Sequence, residues 1–172
     1  MTAARQPRKS ERRLALGSTP ALALGLALAG GGLMVLPVVR PAAAPVEVNE
    51  QTGLAISGFD PVTYFTQGKP VLGKVGLVLR FGGAVWQFQN EGNRAAFAAH
   101  PEVYTPRFGG YDPVALARGT SVPGHPLIWA RLRDRLYFFY DEKARATFMA
   151  DPGRIIVAAE RKWPAIARGL GQ

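Results

Sequence analysis

The sequence predicts an α+β domain made of two tandem, similar β-hairpin-plus-helix units, preceded by an N-terminal signal or transmembrane helix. Two observations lead to this prediction. A set of motifs recurs at a nearly constant offset of 51 residues, and the chain begins with a basic segment followed by a long uncharged run. The predicted divisions are a leader at 1–44, a linker at 45–52 and one small folded domain at 53–172.

The leader is the most pronounced feature of the chain. It starts with the basic stretch RQPRKSERR, and no charge occurs from Leu14 to Val39, which is typical of a targeting segment. As a helix, the part from Ala21 to Val39 would span roughly 28 Å, close to the hydrocarbon thickness of a bilayer. Because basic flanks stay inside, we expect the domain on the periplasmic side of the cytoplasmic membrane. Ala42 and Ala44 also fit a cleavage site, so a periplasmic form without the leader is the alternative.

The composition excludes several function classes. Six of the 21 Lys and Arg residues precede Pro45, and the remaining positive surplus is ordinary for a soluble surface, so nucleic acid is not an expected partner. The chain contains no cysteine. Disulfides, thiolate metal ligands and a thiol nucleophile are therefore excluded.

The repeat relates two stretches of the predicted domain. AVWQFQNEGNRAAFAAHPEVY aligns with RLYFFYDEKARATFMADPGRI, and GFDPV aligns with GYDPV. The alignment pairs Trp86 with Tyr137, Phe88 with Phe139, and Phe97 with Phe148. Each half therefore predicts the same order of elements: an Asp-Pro turn, a strand pair, and a helix with an inward aromatic ring.

The predicted elements follow from this pattern. Strands are expected at 77–81, 84–89, 128–132 and 136–140, with Gly-Gly and Arg-Asp at the two hairpin turns. Asn90 and Asp141 are predicted helix N-caps, and His100 a polar cap beside Pro101. A last helix runs from Pro152 towards position 168, with an interruption or restart at Pro164.

Aspartate precedes proline once in each half. Asp60 and Asp112 are interpreted as helix N-caps, because the carboxylate accepts an amide N–H at the helix start and proline at the next position has none to lose. A ligand-binding or catalytic role for the two carboxylates is the alternative interpretation.

Three stretches resemble one known family. GFDPVTYFTQGKP, WQFQNEGNRAAFAAHPEVY and RFGGYDPVALARG together are similar to the YHS domain, in its stand-alone exported bacterial form. Members of that family are associated with metal handling through cysteines. Laid on this chain, two of those cysteine positions are Gln89 and Asn93, and a third is Asp112. Because amide side chains are poor ligands for metals that prefer thiolates, the resemblance does not carry the metal role with it.

Five polar residues are the candidate ligand-binding set. Arg107, Tyr111 and Asp112 lie where the two halves join, and Asp60 and His125 complete the set. The Arg107 guanidinium is suited to a carboxylate or phosphate ligand, or it closes an ion pair with Asp60 or Asp112. No nucleophile-and-base or phosphate-loop motif occurs, so no catalytic residue and no cofactor are predicted.

The predicted function is a binding or accessory module without catalytic activity. We expect it to be tethered to the cytoplasmic membrane by its N-terminal helix and to bind an unidentified protein or small molecule. One alternative is a divalent metal site built from Asp112 and His125, with Asp60 as a further ligand. The other is a small enzyme whose site lies at the seam between Asp60 and Asp112.

Overall fold

The chain forms two antiparallel hairpins, each followed by helices. The structure is a computed structural model that describes residues 45–49 and 51–170. Strand β1 (Val78–Phe81) pairs with β2 (Ala84–Gln87), and β3 (His125–Leu132) pairs with β4 (Arg135–Phe139), in two separate two-stranded sheets. The α+β class is confirmed. The predicted N-terminal helix lies outside the described residues.

Both hairpin turns fall where the sequence predicts them. Gly82 and Gly83 have φ values of 61° and 81°, and Arg133 and Asp134 have φ values of 49° and 53°. Two consecutive residues with positive φ match the twist of the flanking strands and favour a tight two-residue hairpin. Glycine meets this requirement without strain, whereas the Arg-Asp pair meets it at a steric cost.

Residues 45–49 and 51–170 also form six α-helices and two 3-10 turns, of which one helix and one turn precede β1. The helices are α1 (Thr63–Thr66), α2 (Glu91–Ala99), α3 (Pro101–Tyr104), α4 (Pro113–Arg118), α5 (Glu142–Ala150) and α6 (Pro152–Leu170), and the 3-10 turns are Ile56–Gly58 and Arg107–Gly110. The caps of α2 and α5 are as predicted. Asn90 accepts the Asn93 N–H at 2.8 Å, and Asp141 accepts the Ala144 N–H at 2.7 Å.

Two local predictions are wrong, and a third holds only in part. Helix α6 is continuous through Pro164. Proline has no N–H, but Glu160, whose carbonyl loses its helical partner, is exposed and can be hydrated there. His100 occupies the N-cap position of α3 beside Pro101, as predicted, but its side chain makes no capping hydrogen bond. Asp60 is not the N-cap of α1, because that helix begins at Thr63 and its N-cap position is Val62.

Strand β4 separates two hydrophobic clusters. Its side chains alternate between the two sides, as successive residues of a strand must. Leu136 and Phe138 pack with the cluster that contains Trp86, whereas Tyr137 and Phe139 pack with the cluster that contains Phe148. The two halves therefore share one strand as a common wall, and the helices close each cluster from outside.

The stretch predicted as a linker contacts the domain. The Glu47 N–H donates to the Gly109 carbonyl at 2.8 Å, and Val48 forms an isolated β-bridge with Ala55. Val46 and Val48 pack against the first cluster. None of the helices in the described ranges combines the length and apolar character that a bilayer crossing requires.

Candidate functional site

Asp60 is fully buried and its carboxylate has three donors. Oδ1 accepts the Val62 N–H at 2.8 Å, while Oδ2 accepts the Gln89 N–H at 2.8 Å and the Asn93 side-chain amide at 2.6 Å. The exposed fraction of Asp60 is 0%. A buried carboxylate is costly unless it is hydrogen-bonded, and this one is bonded through both oxygens. It ties the turn before α1 to the end of β2.

Asp112 likewise joins two elements through hydrogen bonds from its carboxylate. Its Oδ1 accepts the Val114 N–H at 2.7 Å as the predicted N-cap of α4, and its Oδ2 accepts the Tyr140 N–H at 3.0 Å. Its exposed fraction is 2%. The carboxylate thus ties α4 to the end of β4, and both oxygens are bonded within the fold.

Two positions that the YHS resemblance pairs with cysteines lie beside Asp60, and the residues that align with them lie beside Asp112. In the first half, Gln89 and Asn93 donate directly to Asp60. In the second half, the corresponding residues Tyr140 and Ala144 line a depression of about 300 Å³ beside Asp112. The described side chains at these positions offer amide, phenol and methyl groups, none of which is a preferred ligand for thiolate-selecting metals.

Arg107 pairs with an acid that the sequence analysis did not predict. Its Nη2 lies 2.6 Å from Glu160 Oε1 on α6, so the predicted pairing with Asp60 or Asp112 is wrong. Both side chains are exposed by more than a third, at 38% and 48%. Such a pair contributes little to stability and can open for a ligand. The Arg107 guanidinium also lies 5.4 Å from the centre of the Phe108 ring.

Tyr111 and His125 lie on other parts of the surface. The Tyr111 ring packs 5.8 Å from that of Trp163, and it lines a shallow polar depression with Glu47. Burial raises the pKa of Tyr111, and the negative charge of Glu47 raises it further. His125 is exposed at the start of β3, where its Nδ1 accepts the Leu127 N–H at 3.2 Å.

The largest apolar opening near the candidate set is a groove of about 480 Å³. We call it the Trp163 groove, after the α6 residue that forms one side of it. Its walls also include Val46, Phe81, Thr105, Arg107 and Phe108. The Thr105 Oγ1 atom is buried and has no hydrogen-bond partner within the described residues. A buried hydroxyl without a partner is uncommon and requires a physical explanation.

The five predicted residues do not converge on one site. Arg107 lines the Trp163 groove, Tyr111 and Asp112 line two separate depressions, and neither Asp60 nor His125 lines any of these three openings. Within 45–49 and 51–170, no three His, Asp or Glu side chains come together as a group that could hold a metal ion. The alternative ligands Asp112 and His125 are each bonded to backbone N–H groups instead.

Comparisons with family models, with curated proteins and with solved structures found no match for this chain.

Two residues that line the groove, Thr105 and Trp163, and the ion-pair partner of Arg107 were not predicted from the sequence. Glu160 lies 53 residues from its partner Arg107, and no local pattern links the two. Trp163 is recognised in the sequence only as part of the Trp-Pro pair, and Thr105 carries no motif. A conspicuous signal existed only for Trp163, because a partly exposed tryptophan on an amphipathic helix often marks a contact surface.

Proposed function

We propose that this protein is an exported, membrane-tethered module of the YHS type that acts by binding and carries out no reaction. One observation carries the non-catalytic part of the proposal. Both oxygens of Asp60 and of Asp112 accept hydrogen bonds that hold secondary-structure elements together. A general acid or base exchanges a proton with a substrate, whereas these two carboxylates are buried and use both oxygens to accept hydrogen bonds from the fold.

A tandem duplication explains why the arrangement occurs twice. Several contacts recur at the repeat offset: the Gly73 N–H donates to the Gly58 carbonyl as Gly124 does to Gly110, and Phe59 bridges Leu72 as Tyr111 bridges Pro123. Phe97 packs against Trp86 and Phe88, and Phe148 packs against Tyr137 and Phe139. Both aspartates accept hydrogen bonds from backbone N–H groups, although the side chains around them differ. This supports a structural role for the two aspartates.

The proposed membrane tether is inferred from the sequence of the leader. Its basic start and the uncharged run from Leu14 to Val39 favour export with the basic end inside. The proposed location is therefore the periplasmic face of the cytoplasmic membrane.

Fractionation of cells that express the full chain tests the proposal. We expect the protein in the membrane fraction after an alkaline wash, at full length, and open to protease added outside spheroplasts. A soluble form shorter by about 44 residues would show that the leader is cleaved and would overturn the tether. A protein protected inside intact spheroplasts would overturn export itself.

A substrate screen with the Asp112→Ala variant tests the non-catalytic part. The proposal predicts no turnover with the wild-type chain. Turnover that is lost in Asp112→Ala, while the variant keeps its far-UV and near-UV circular dichroism, would identify an enzyme whose site lies at that carboxylate.

A further inference from the structure

The Trp163 groove lies at the place where the described chain begins. Val46 forms part of its wall, and the Glu47 N–H is bonded to the Gly109 carbonyl at 2.8 Å. A side-chain carbon at Gly109 would collide with the Pro45 carbonyl, so the two backbones lie in close contact. The first described residues are therefore fixed on the domain beside the groove.

Few residues separate the uncharged run from Pro45. Five residues, 40–44, separate the end of the uncharged run at Val39 from Pro45. Fully extended, they reach about 18 Å. A domain of this size is about 35 Å across, from a radius of gyration of about 14 Å. A tether shorter than the domain's diameter keeps the attachment side, and with it the groove, towards the membrane.

We propose that the domain rests on the bilayer surface through the Trp163 groove, which contacts the lipid headgroup and upper acyl region. This inference depends on the tether proposed above. The headgroup layer is about 5–8 Å thick on each side of the hydrocarbon, so an extended five-residue spacer allows the contact without strain.

The chemistry of the groove suits this layer. Phe81 is 39% exposed at its rim, and Trp163 is partly exposed. Aromatic rings, above all tryptophan, concentrate at the membrane–water interface because one part of the environment is apolar and the other wet.

The charges of the groove indicate what drives the contact. Arg107 and Glu102 both line it, and Arg107 is paired with Glu160. With opposite charges beside each other, the groove offers no strong attraction to anionic lipid. The contact is therefore expected to depend on apolar burial, to persist in high salt, and to form on neutral and anionic bilayers alike.

The absence of cysteine makes a direct test available. Single-cysteine variants of the full chain, labelled with an environment-sensitive fluorophore, are reconstituted into phosphatidylcholine or phosphatidylglycerol vesicles that contain headgroup-spin-labelled lipid. Glu102→Cys places the label at the groove. Lys143→Cys is the matched control, because Lys143 is also exposed and lines the depression beside Asp112, which shares no residue with the groove.

We expect the spin-labelled lipid to quench the label at position 102 several-fold more than the label at position 143, in both lipids and in high salt. Equal quenching of the two labels on a chain that floats with the vesicles would overturn the docking inference and leave the tether intact. A chain that does not float with the vesicles would overturn the tether itself. Quenching at position 102 that disappears in salt would contradict the apolar contact.

Discussion

Replacing Asp60 by alanine is the most direct test of its structural role. The change removes the acceptor of the Val62 N–H and of the Gln89 N–H, both at 2.8 Å. Leaving a buried donor such as the Val62 N–H without an acceptor costs about 1–3 kcal/mol, and the half-buried Gln89 N–H adds a smaller cost, so about 3 kcal/mol is the central expectation. The Asn93 side chain is also half-buried, and its amide can turn to water instead.

Equilibrium urea unfolding of the full-length chain in mild detergent, followed by tryptophan fluorescence, measures this loss. Asn90→Ala is the matched control. It removes one exposed cap bond from the same region, to the Asn93 N–H at 2.8 Å, and is expected to cost about 1 kcal/mol. Asp60→Asn should lie between them, because its amide group keeps one acceptor but turns a donor towards the Gln89 N–H.

A loss of less than about 1 kcal/mol for Asp60→Ala, no greater than that of the exposed cap, would refute the reasoning. It would mean that the buried donors find other acceptors. The carboxylate would then be retained for some other reason, and a ligand or a reaction at Asp60 would again become the better interpretation.

Three further predictions concern a glycine, a tyrosine and metal content. Gly73→Ala should cost several kcal/mol in the same unfolding assay, because its Cβ would lie 2.6 Å from the Phe88 nitrogen. Gly153→Ala is the control: open space surrounds this residue, so the change should be neutral or stabilising by up to about 1 kcal/mol. Burial raises the pKa of Tyr64, so the folded protein should lose stability above about pH 10, where the unfolded chain releases that proton; Tyr64→Phe should flatten this loss in a pH series. After equilibration with zinc, copper or iron and dialysis, elemental analysis should find less than one metal ion per chain, and a stoichiometric ion lost in Asp112→Ala would contradict this.

Local chemistry made much of the fold predictable. Hairpin turns, N-caps and the inward aromatic rings each depend on residues within a few positions, and motifs that recur about 51 residues apart supply most of these signals twice. The turn at Gly82 and the cap at Asp141 illustrate this, since each is determined by side chains next to it. The predicted ends of the strands differ from the observed ones by a few residues at most.

The candidate site was predictable only in part, because its contacts join distant parts of the chain. Asp60 was recognised as a turn aspartate, but its bond to the Gln89 N–H spans 29 residues and has no local signature. The same holds for Arg107. Its partner Glu160 is 53 residues away in the sequence and comes close only because α6 packs beside the turn that carries Arg107. Proline at position 164 suggested a break in α6, yet an exposed helix face tolerates the missing bond.

Under the proposed duplication, the symmetric features of the domain hold the fold and the asymmetric ones are the place to seek function. Each half has one buried aspartate and one aromatic triad. The Trp163 groove does not: the residue that aligns with Arg107 is Ala55, and the long α6 aligns with α3, a helix of one turn. The groove exists because α6 extends past its counterpart and brings a tryptophan against the seam. Trp163 packs against the cluster that contains Phe148 and also leaves part of its side chain exposed at the groove, so α6 both completes the fold and forms the face that the proposed membrane contact uses.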